Sequence, residues 1–363
     1  MKPRHGLVIG KFYPPHAGHA LLIRAAAETA ERVTVVVMAS RVESIPLAFR
    51  VSWLREIHAA ETNVTVTGIA DEHPIDLESD AVWHAHVALM RAAAATVTDQ
   101  PIDTVFTSER YGDELGRRLG ARHRAIDPGR ERVPVSGSAV RADPIAHWDA
   151  LAACVREHLA WRVVLVGAES TGKTTLAAEL AARLAARGGA WAGTEWVPEI
   201  GRDATIAKLA AQGAESGDVA AMASLVWTTA DFVAIARAQA ERERAAARRG
   251  GPVLICDTDA FATGVWHERY LGSRSPATEA LGDAAPRHLY LVTHDADVPF
   301  VQDGLRDGEH LRRWMTRRFA ERLDATARSW RWLRGTGPER VTAALAAIDQ
   351  ALAGGWRLAA PLG

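Results

Sequence analysis

Two doubly wound α/β domains, each built on a parallel sheet, are what this 363-residue sequence predicts. Three observations carry the prediction. Short runs rich in valine, isoleucine and leucine alternate with segments of helical spacing, the pattern of parallel strands joined by crossover helices. The alternation lapses between about residues 145 and 160 and then restarts. The length also exceeds that of a usual single domain. The expected domains are 1–150 and 160–363.

GLVIG (6–10) reads as a buried strand, followed by a turn and a helix from about Gly18 to Arg32. VTVVVMAS (33–40) is the next strand, and Ser44–Ala60 carries helical spacing. NVTVTGIA (63–70) is a third strand and Ala81–Thr96 a helix. TVFTS (104–108) is a fourth strand, with helix-like DELGRRLG after it. PIAHWDALAACVREHL (144–159) reads as a linking helix. RVVLVG (162–167), PVLICD (252–257) and HLYLVT (288–293) are the strands of the second set. Between them, 219–249 is helical and ends in a charged, solvated run, ERERAAARRGG. Ligands of such sheets sit at the carboxyl ends of the strands.

Composition narrows the partners. Lys+Arg 43 against Asp+Glu 44 gives a net charge of −1, so no overall field attracts nucleic acid or an anionic membrane. Cys154 and Cys256 lie far apart in apolar segments, which argues for no disulfide framework and suits a reducing interior. No apolar run reaches membrane-spanning length, and MKPRHGLVIG is too short in apolar core for a signal peptide. The expectation is a cytoplasmic protein with no membrane partner.

GKFYPPHAGH (10–19) is the first chemical signal. Gly10 and Lys11 follow the strand, Pro14 and Pro15 fix the turn, and Gly18 opens a helix beside His19. A helix start offers free N–H groups to a phosphate, and His16 and His19 can donate to the same anion. The alternative is a pair of ordinary turn histidines. The string as a whole resembles the HxGH signature of the nucleotidyltransferase superfamily that transfers adenylyl groups from ATP. A second signature of that superfamily, I-S-x-T-x-x-R, is matched about 120 residues later by PVSGSAVRADP, with Ser136, Ser138 and Arg141. Ser138 stands where threonine is usual and keeps the hydroxyl. The resemblance implies that Gly10, Phe12, Gly18, Ser136 and Ser138 hold ATP. His16, His19, Lys11 and Arg141 would steady its phosphates; Lys11 also fits a surface lysine.

PIDLESDAVWHAHV (74–87) is similar to a segment of the nicotinamide-mononucleotide adenylyltransferases. There an acidic residue and a tryptophan seven positions on line the nicotinamide pocket, which nominates Asp76 and Trp83. A flat indole suits a cationic pyridinium ring, though Trp83 also fits plain helix core. IPLAFR (45–50) resembles the loop that grips the acceptor phosphate, which nominates Arg50.

The second domain opens on GAESTGKTT (167–175), which satisfies G-x-x-x-x-G-K-[ST] between a strand and a helix. Gly167, Ala168, Glu169, Ser170, Thr171, Gly172, Lys173, Thr174 and Thr175 are the expected ATP cradle. Lys173 would reach the β/γ oxygens, and Thr174 is placed for Mg²⁺. PVLICDTDAFAT (252–263) supplies Asp257, a metal or base candidate, and Asp259, a substrate candidate; both also fit turn aspartates. EWVPEIGRD (195–203) offers Glu199 as base for an acceptor hydroxyl, with Trp196 beside it as a substrate contact. Glu199 and Asp257 stay open as the base. VPFVQDGLRDGEHLRRWM (298–315) reads as a substrate or lid loop, with Arg306 against the transferred phosphoryl group and Arg312 and Arg313 as alternatives.

The order of parts resembles the NadR-type bifunctional nicotinamide-mononucleotide adenylyltransferase/ribosylnicotinamide kinases over almost the whole chain. The likeness includes TSERYGDELGRRLGARH, VSGSAVRADP, CDTDAFATGVWHERYLG and VQDGLRD. It implies a Rossmann-like HxGH domain followed by a P-loop kinase. ATP, ribosylnicotinamide, nicotinamide mononucleotide and NAD would be the small-molecule partners, with Mg²⁺ as cofactor. Some members carry an N-terminal helix-turn-helix. Here the catalytic turn begins at residue 10, so DNA binding is not expected. The rival readings are a fused phosphopantetheine adenylyltransferase/dephospho-coenzyme A kinase, and a non-catalytic ATP/NAD-sensing regulator. Oligomeric state, a homo-oligomer included, stays open.

Overall fold

A computed structural model describes residues 2–215, 217–284 and 288–362. They form two compact units. One holds the residues up to Val155 together with those from Trp356 onward; the other is Arg156–Gly355. The return of the final residues to the first unit differs from the expected second-domain boundary at 363.

The first unit runs β1 (His5–Gly10), α1 (Ala17–Thr29), β2 (Arg32–Ala39), α2 (Leu47–Ile57), β3 (Val64–Ala70), α3 (Asp80–Ala95), β4 (Thr104–Thr107), α4 (Gly112–Leu119), β5 (Arg122–Ala125) and α5 (Gly137–Ala142), and it contains the start of α6 (Ala153–Leu159). Its five strands pair in parallel in the order β3-β2-β1-β4-β5. β2, RVTVVVMA, is buried from Val33 to Ala39, as expected of a central strand covered on both faces. The strand order reverses between β1 and β4, so the turn after β1 opens at the switch point where such sheets bind ligands.

The second unit continues with β6 (Trp161–Val166), α7 (Lys173–Ala185), β7 (Glu195–Val197), α8 (Ile200–Ala211), α9 (Val219–Ser224), α10 (Thr229–Arg249), β8 (Val253–Asp257), α11 (Ala260–Leu271), α12 (Pro276–Ala284), β9 (Leu289–Thr293), α13 (Arg312–Asp324), β10 (Trp330–Leu333) and α14 (Gly337–Ala353). The sheet order is β10-β9-β6-β8-β7, again parallel. β6 lies between β8 and β9, so the loops after these three strands converge. Val163, Leu165, Ile255 and Leu291 of the sheet pack with Leu176, Leu180 and Leu184 of α7.

Differences from the sequence reading have local causes. The helix expected from Ser44 starts at Leu47, because Pro46 sits in an extended conformation before it. The continuous helix expected over 144–159 is broken. A short 3₁₀ turn (Trp148–Ala150) precedes an extended Leu151, and both Trp148 and Leu151 are buried by that break. The helical 219–249 is two helices, interrupted by Leu225–Thr228, where Thr228 and Asp231 form a capping box. Among the described residues no helix is long and apolar enough to cross a membrane.

Candidate active sites

In the first unit the β1–α1 turn is tightly built. Phe12 takes a left-handed backbone (φ 46°) and is buried, so the turn is held by an aromatic anchor rather than by glycine. His16 is the N-cap of α1 and His19 lies in its first turn. The His16 N–H donates to His19 Nδ1 (3.3 Å), and the two rings stack with centroids 3.7 Å apart. A Cβ on Gly18 would lie 3.1 Å from His16 Cε1, so the glycine of HxGH leaves room for that ring. His16 Nδ1 is buried with no partner.

Both imidazoles are held neutral. Burial, then Arg130, His147 and Arg141, lower the His16 pKa to about 4. Burial, then His16 and Arg130, push that of His19 well below its ordinary value. At pH 7 both are neutral imidazoles, and the positive charge beside them is that of the arginines. Arg141 joins the two signature segments: Nη1 donates to the Tyr13 carbonyl (2.7 Å), Nη2 to Ser138 Oγ (3.2 Å), and the guanidinium lies 5.1 Å from the Tyr13 ring centroid. Ser136 caps α5 by accepting from the Ala139 N–H. Lys11 Nζ bonds the Leu362 carbonyl (2.5 Å) and pairs with Glu43 (3.2 Å), while Tyr13 OH donates to the Ala359 carbonyl.

In the second unit, Gly167, Ser170 and Gly172 take positive φ (151°, 55° and 80°), the conformations that turn successive N–H groups of the loop after β6 inward. A Cβ on Gly167 would sit 2.3 Å from Thr293 Oγ1, so β9 approaches the loop too closely for a side chain. Lys173 Nζ rests on the Ala168 carbonyl (2.9 Å). Thr171 Oγ1 bonds the same carbonyl and shares a hydrogen bond with Thr293 Oγ1. Arg312 and Arg340 donate to the Ser170 and Thr171 carbonyls and brace the loop.

Asp257, at the end of β8, accepts from Thr174 Oγ1 (2.5 Å) through Oδ2, while its buried Oδ1 has no partner. An unpartnered carboxylate oxygen beside a hydroxyl fits a divalent cation carried in by phosphate. Burial raises the Asp257 pKa against the opposing pull of Lys173. Glu199, the N-cap of α8, is raised to about 7, chiefly by burial. The loop, Glu199 and Asp257 open on one cavity of about 320 Å³. Its lining is rich in aromatic residues, with Trp196, Trp227, Phe232, Trp266 and Tyr270 among them. Trp227 lies 5.4 Å from Phe232 and 5.5 Å from Tyr270 between centroids.

Residues 7–143 match the family model described as cytidylyltransferase-like, and residues 162–340 match the one described as AAA domain. The trifunctional NAD biosynthesis/regulator protein NadR of Escherichia coli (strain K12) is 27% identical over 318 residues, covering 83% of this chain and 71% of that relative. A crystal structure of NadR protein in complex with NR shares the fold, with a TM-score of 0.71, 19% identity and 96% of each chain covered. Another, in complex with NAD and AMP-PNP, gives 0.70 at 20% identity, covering 97% of this chain and 98% of that one. The sequence likeness and the two matched domain families together support a NadR-type protein. NadR homology, with a nucleotidyltransferase-like and a P-loop kinase-like domain, supports an enzyme of NAD biosynthesis in general.

Several nominated residues have partners that sequence could not reveal. Arg50 is wholly buried. It donates to the Ile45 and Lys11 carbonyls and to Glu43, and it lies 4.3 Å from the Tyr13 ring centroid. Here it frames the β1–α1 turn instead of presenting N–H groups to a phosphate. Asp76 is exposed and accepts from the Glu78 and Ser79 N–H groups. Trp83 is buried; its Nε1 donates to the Leu77 carbonyl, and Arg118 lies 5.1 Å from its centroid. Asp259 caps α11 by accepting from the Ala262 N–H and accepts from Tyr290 OH (2.6 Å). Arg306 donates to the Val301 carbonyl and lines the cavity. Sequence reading missed Arg130, His147 and the Trp227–Phe232–Tyr270 wall. Of these only Tyr270 lies in a segment that carries the family likeness, CDTDAFATGVWHERYLG, and the fold brings Trp227 and Phe232 to it.

Proposed function

We propose that this chain is a two-step salvage enzyme that makes NAD from ribosylnicotinamide and two ATP molecules. The second unit phosphorylates the substrate. The 5′-hydroxyl oxygen of ribosylnicotinamide forms a bond to the γ-phosphorus, the bridge to the β-phosphate breaks, and ADP leaves. Glu199 accepts the hydroxyl proton, and the nicotinamide ring, a cation, rests against the aromatic wall. Lys173 and the backbone of 168–174 hold the phosphates. Thr174 and Asp257 would hold Mg²⁺, whose charge would offset that of the ATP phosphates. In the first unit the mononucleotide's phosphate oxygen attacks the α-phosphorus of a second ATP, and pyrophosphate departs. An ionised phosphate needs no base, so His16 and His19 position the phosphates by hydrogen bonds and Arg141 neutralises charge.

The observation that carries this reading is the cavity that puts a P-loop, a carboxylate with its pKa near 7 and a cluster of aromatic rings around one space. Dephospho-coenzyme A also carries a ring, its adenine, so competition between it and ribosylnicotinamide as acceptors separates the two kinase readings. The test is to assay each half-reaction separately with purified protein. Lys173→Ala is expected to abolish ADP release with ribosylnicotinamide and spare adenylyl transfer; His19→Ala is expected to do the reverse. Either change stopping both reactions would contradict two independent sites. ATP binding without turnover would favour a regulator.

A further inference from the structure

Arg269, on α11, lies outside the machinery described so far, yet it touches three parts of the second site. Its Nη1 donates to Glu169 Oε1 (2.7 Å) in the P-loop, and its Nη2 bonds Asp307 Oδ1. The other oxygen of Glu169, Oε2, accepts the Gly308 N–H (2.9 Å). The guanidinium also sits 4.7 Å and 5.1 Å from the Tyr270 and Trp266 ring centroids, two rings of the acceptor wall. Its side chain is 2% exposed, and that of Glu169 is 11% exposed. A Cβ on Gly308 would lie 2.3 Å from Arg269 Nη2, so the loop approaches closely only because a glycine is there. Ser170 closes the same joint: its Oγ accepts from the Val301 N–H (2.7 Å) and from Arg306 (3.4 Å).

Side chains at these P-loop positions have no required part in phosphate binding, which uses the backbone N–H groups. Here they hold the loop 298–308 through Gly308 and Val301. A buried ion pair adds little net stability, because desolvation offsets its attraction. A planar fork, however, sets the relative position of two carboxylates in a way a lysine ammonium does not.

We propose that Arg269 is a positioning residue for phosphoryl transfer, locking the acceptor-wall helix, the P-loop and the Arg306 loop into one geometry. The proposal rests on the kinase reading of the second unit. Arg269→Lys keeps the charge and loses one prong. The turnover number for ribosylnicotinamide phosphorylation is expected to fall tenfold or more, with the acceptor KM within threefold of wild type. Adenylyl transfer by the first unit should stay within twofold. Asp307→Asn, altering an exposed partner, should lower turnover less and be non-additive with Arg269→Lys. With AMP-PNP bound, amides of 301–308 should exchange faster with deuterium in Arg269→Lys than in wild type.

Wild-type turnover in both variants would overturn the proposal, as would a raised KM at unchanged kcat, which would mean Arg269 only shapes the acceptor wall. Slower turnover with unchanged exchange in 301–308 would overturn it too. If Arg269→Lys does not fold, Asp307→Asn decides. A wild-type protein that fails to phosphorylate ribosylnicotinamide sinks the kinase reading, and the exchange comparison still tests the brace.

Discussion

His19 and Glu199 show how burial sets chemistry one residue at a time. The stacked imidazoles are neutral, so His19 contributes an oriented hydrogen bond rather than a charge. Its removal is expected to cost about 3 kcal/mol of transition-state stabilisation, roughly a hundredfold in the rate of adenylyl transfer. Steady-state kinetics of that half-reaction measure it. Glu199 works in the opposite sense. Burial favours its neutral form and lifts its pKa to about 7. A base is active when deprotonated, so phosphorylation should rise with pH through about 7 and level off above it. Glu199→Gln should lower the rate and remove that limb from a pH profile of kcat. A limb that survives the substitution would assign the proton to Asp257.

Elements, next, have ends, and the ends hold much of the site. Asp259 begins α11 and accepts from Tyr290 of β9, tying the acceptor-wall helix to the sheet. Asp259→Ala removes a cap worth about 1 kcal/mol and the hydrogen bond from Tyr290 OH, worth about 1 kcal/mol. Urea unfolding of the second unit should show a loss of about 2 kcal/mol. The central strands were readable as unbroken apolar runs. β5 (RHRA), β7 (EWV) and β10 (WRWL) were not. The three are short sheet-edge strands, and an edge that meets solvent carries polar or mixed residues with no hydrophobic pattern. The same reasoning covers the broken 144–159 segment, where burial of Trp148 outweighed helical spacing.

Across the whole molecule, the residues from Trp356 onward belong to the first unit. Lys11 and Tyr13 of the HxGH turn hold the Leu362 and Ala359 carbonyls, and Ser44 Oγ accepts from the Ala359 N–H. A chain ending at Gly355 would lose these bonds, each worth about 1 kcal/mol. The first unit should then melt several degrees lower, with the second unit's transition and its phosphorylation unchanged. Calorimetry of the two transitions checks it.

What the sequence determined by itself was the pair of parallel sheets and the contiguous cradles, because periodicity and a P-loop are local: G-x-x-x-x-G-K-T needs only a strand before it and a helix after it. Tertiary structure decided everything built from separated segments. It brought Arg141 to the Tyr13 carbonyl, set Arg130 and His147 against His16, buried Arg50 away from solvent, and gathered Trp227, Phe232 and Tyr270 into a wall. Such neighbours are chosen by packing, and packing between residues far apart in the chain leaves no spacing to read.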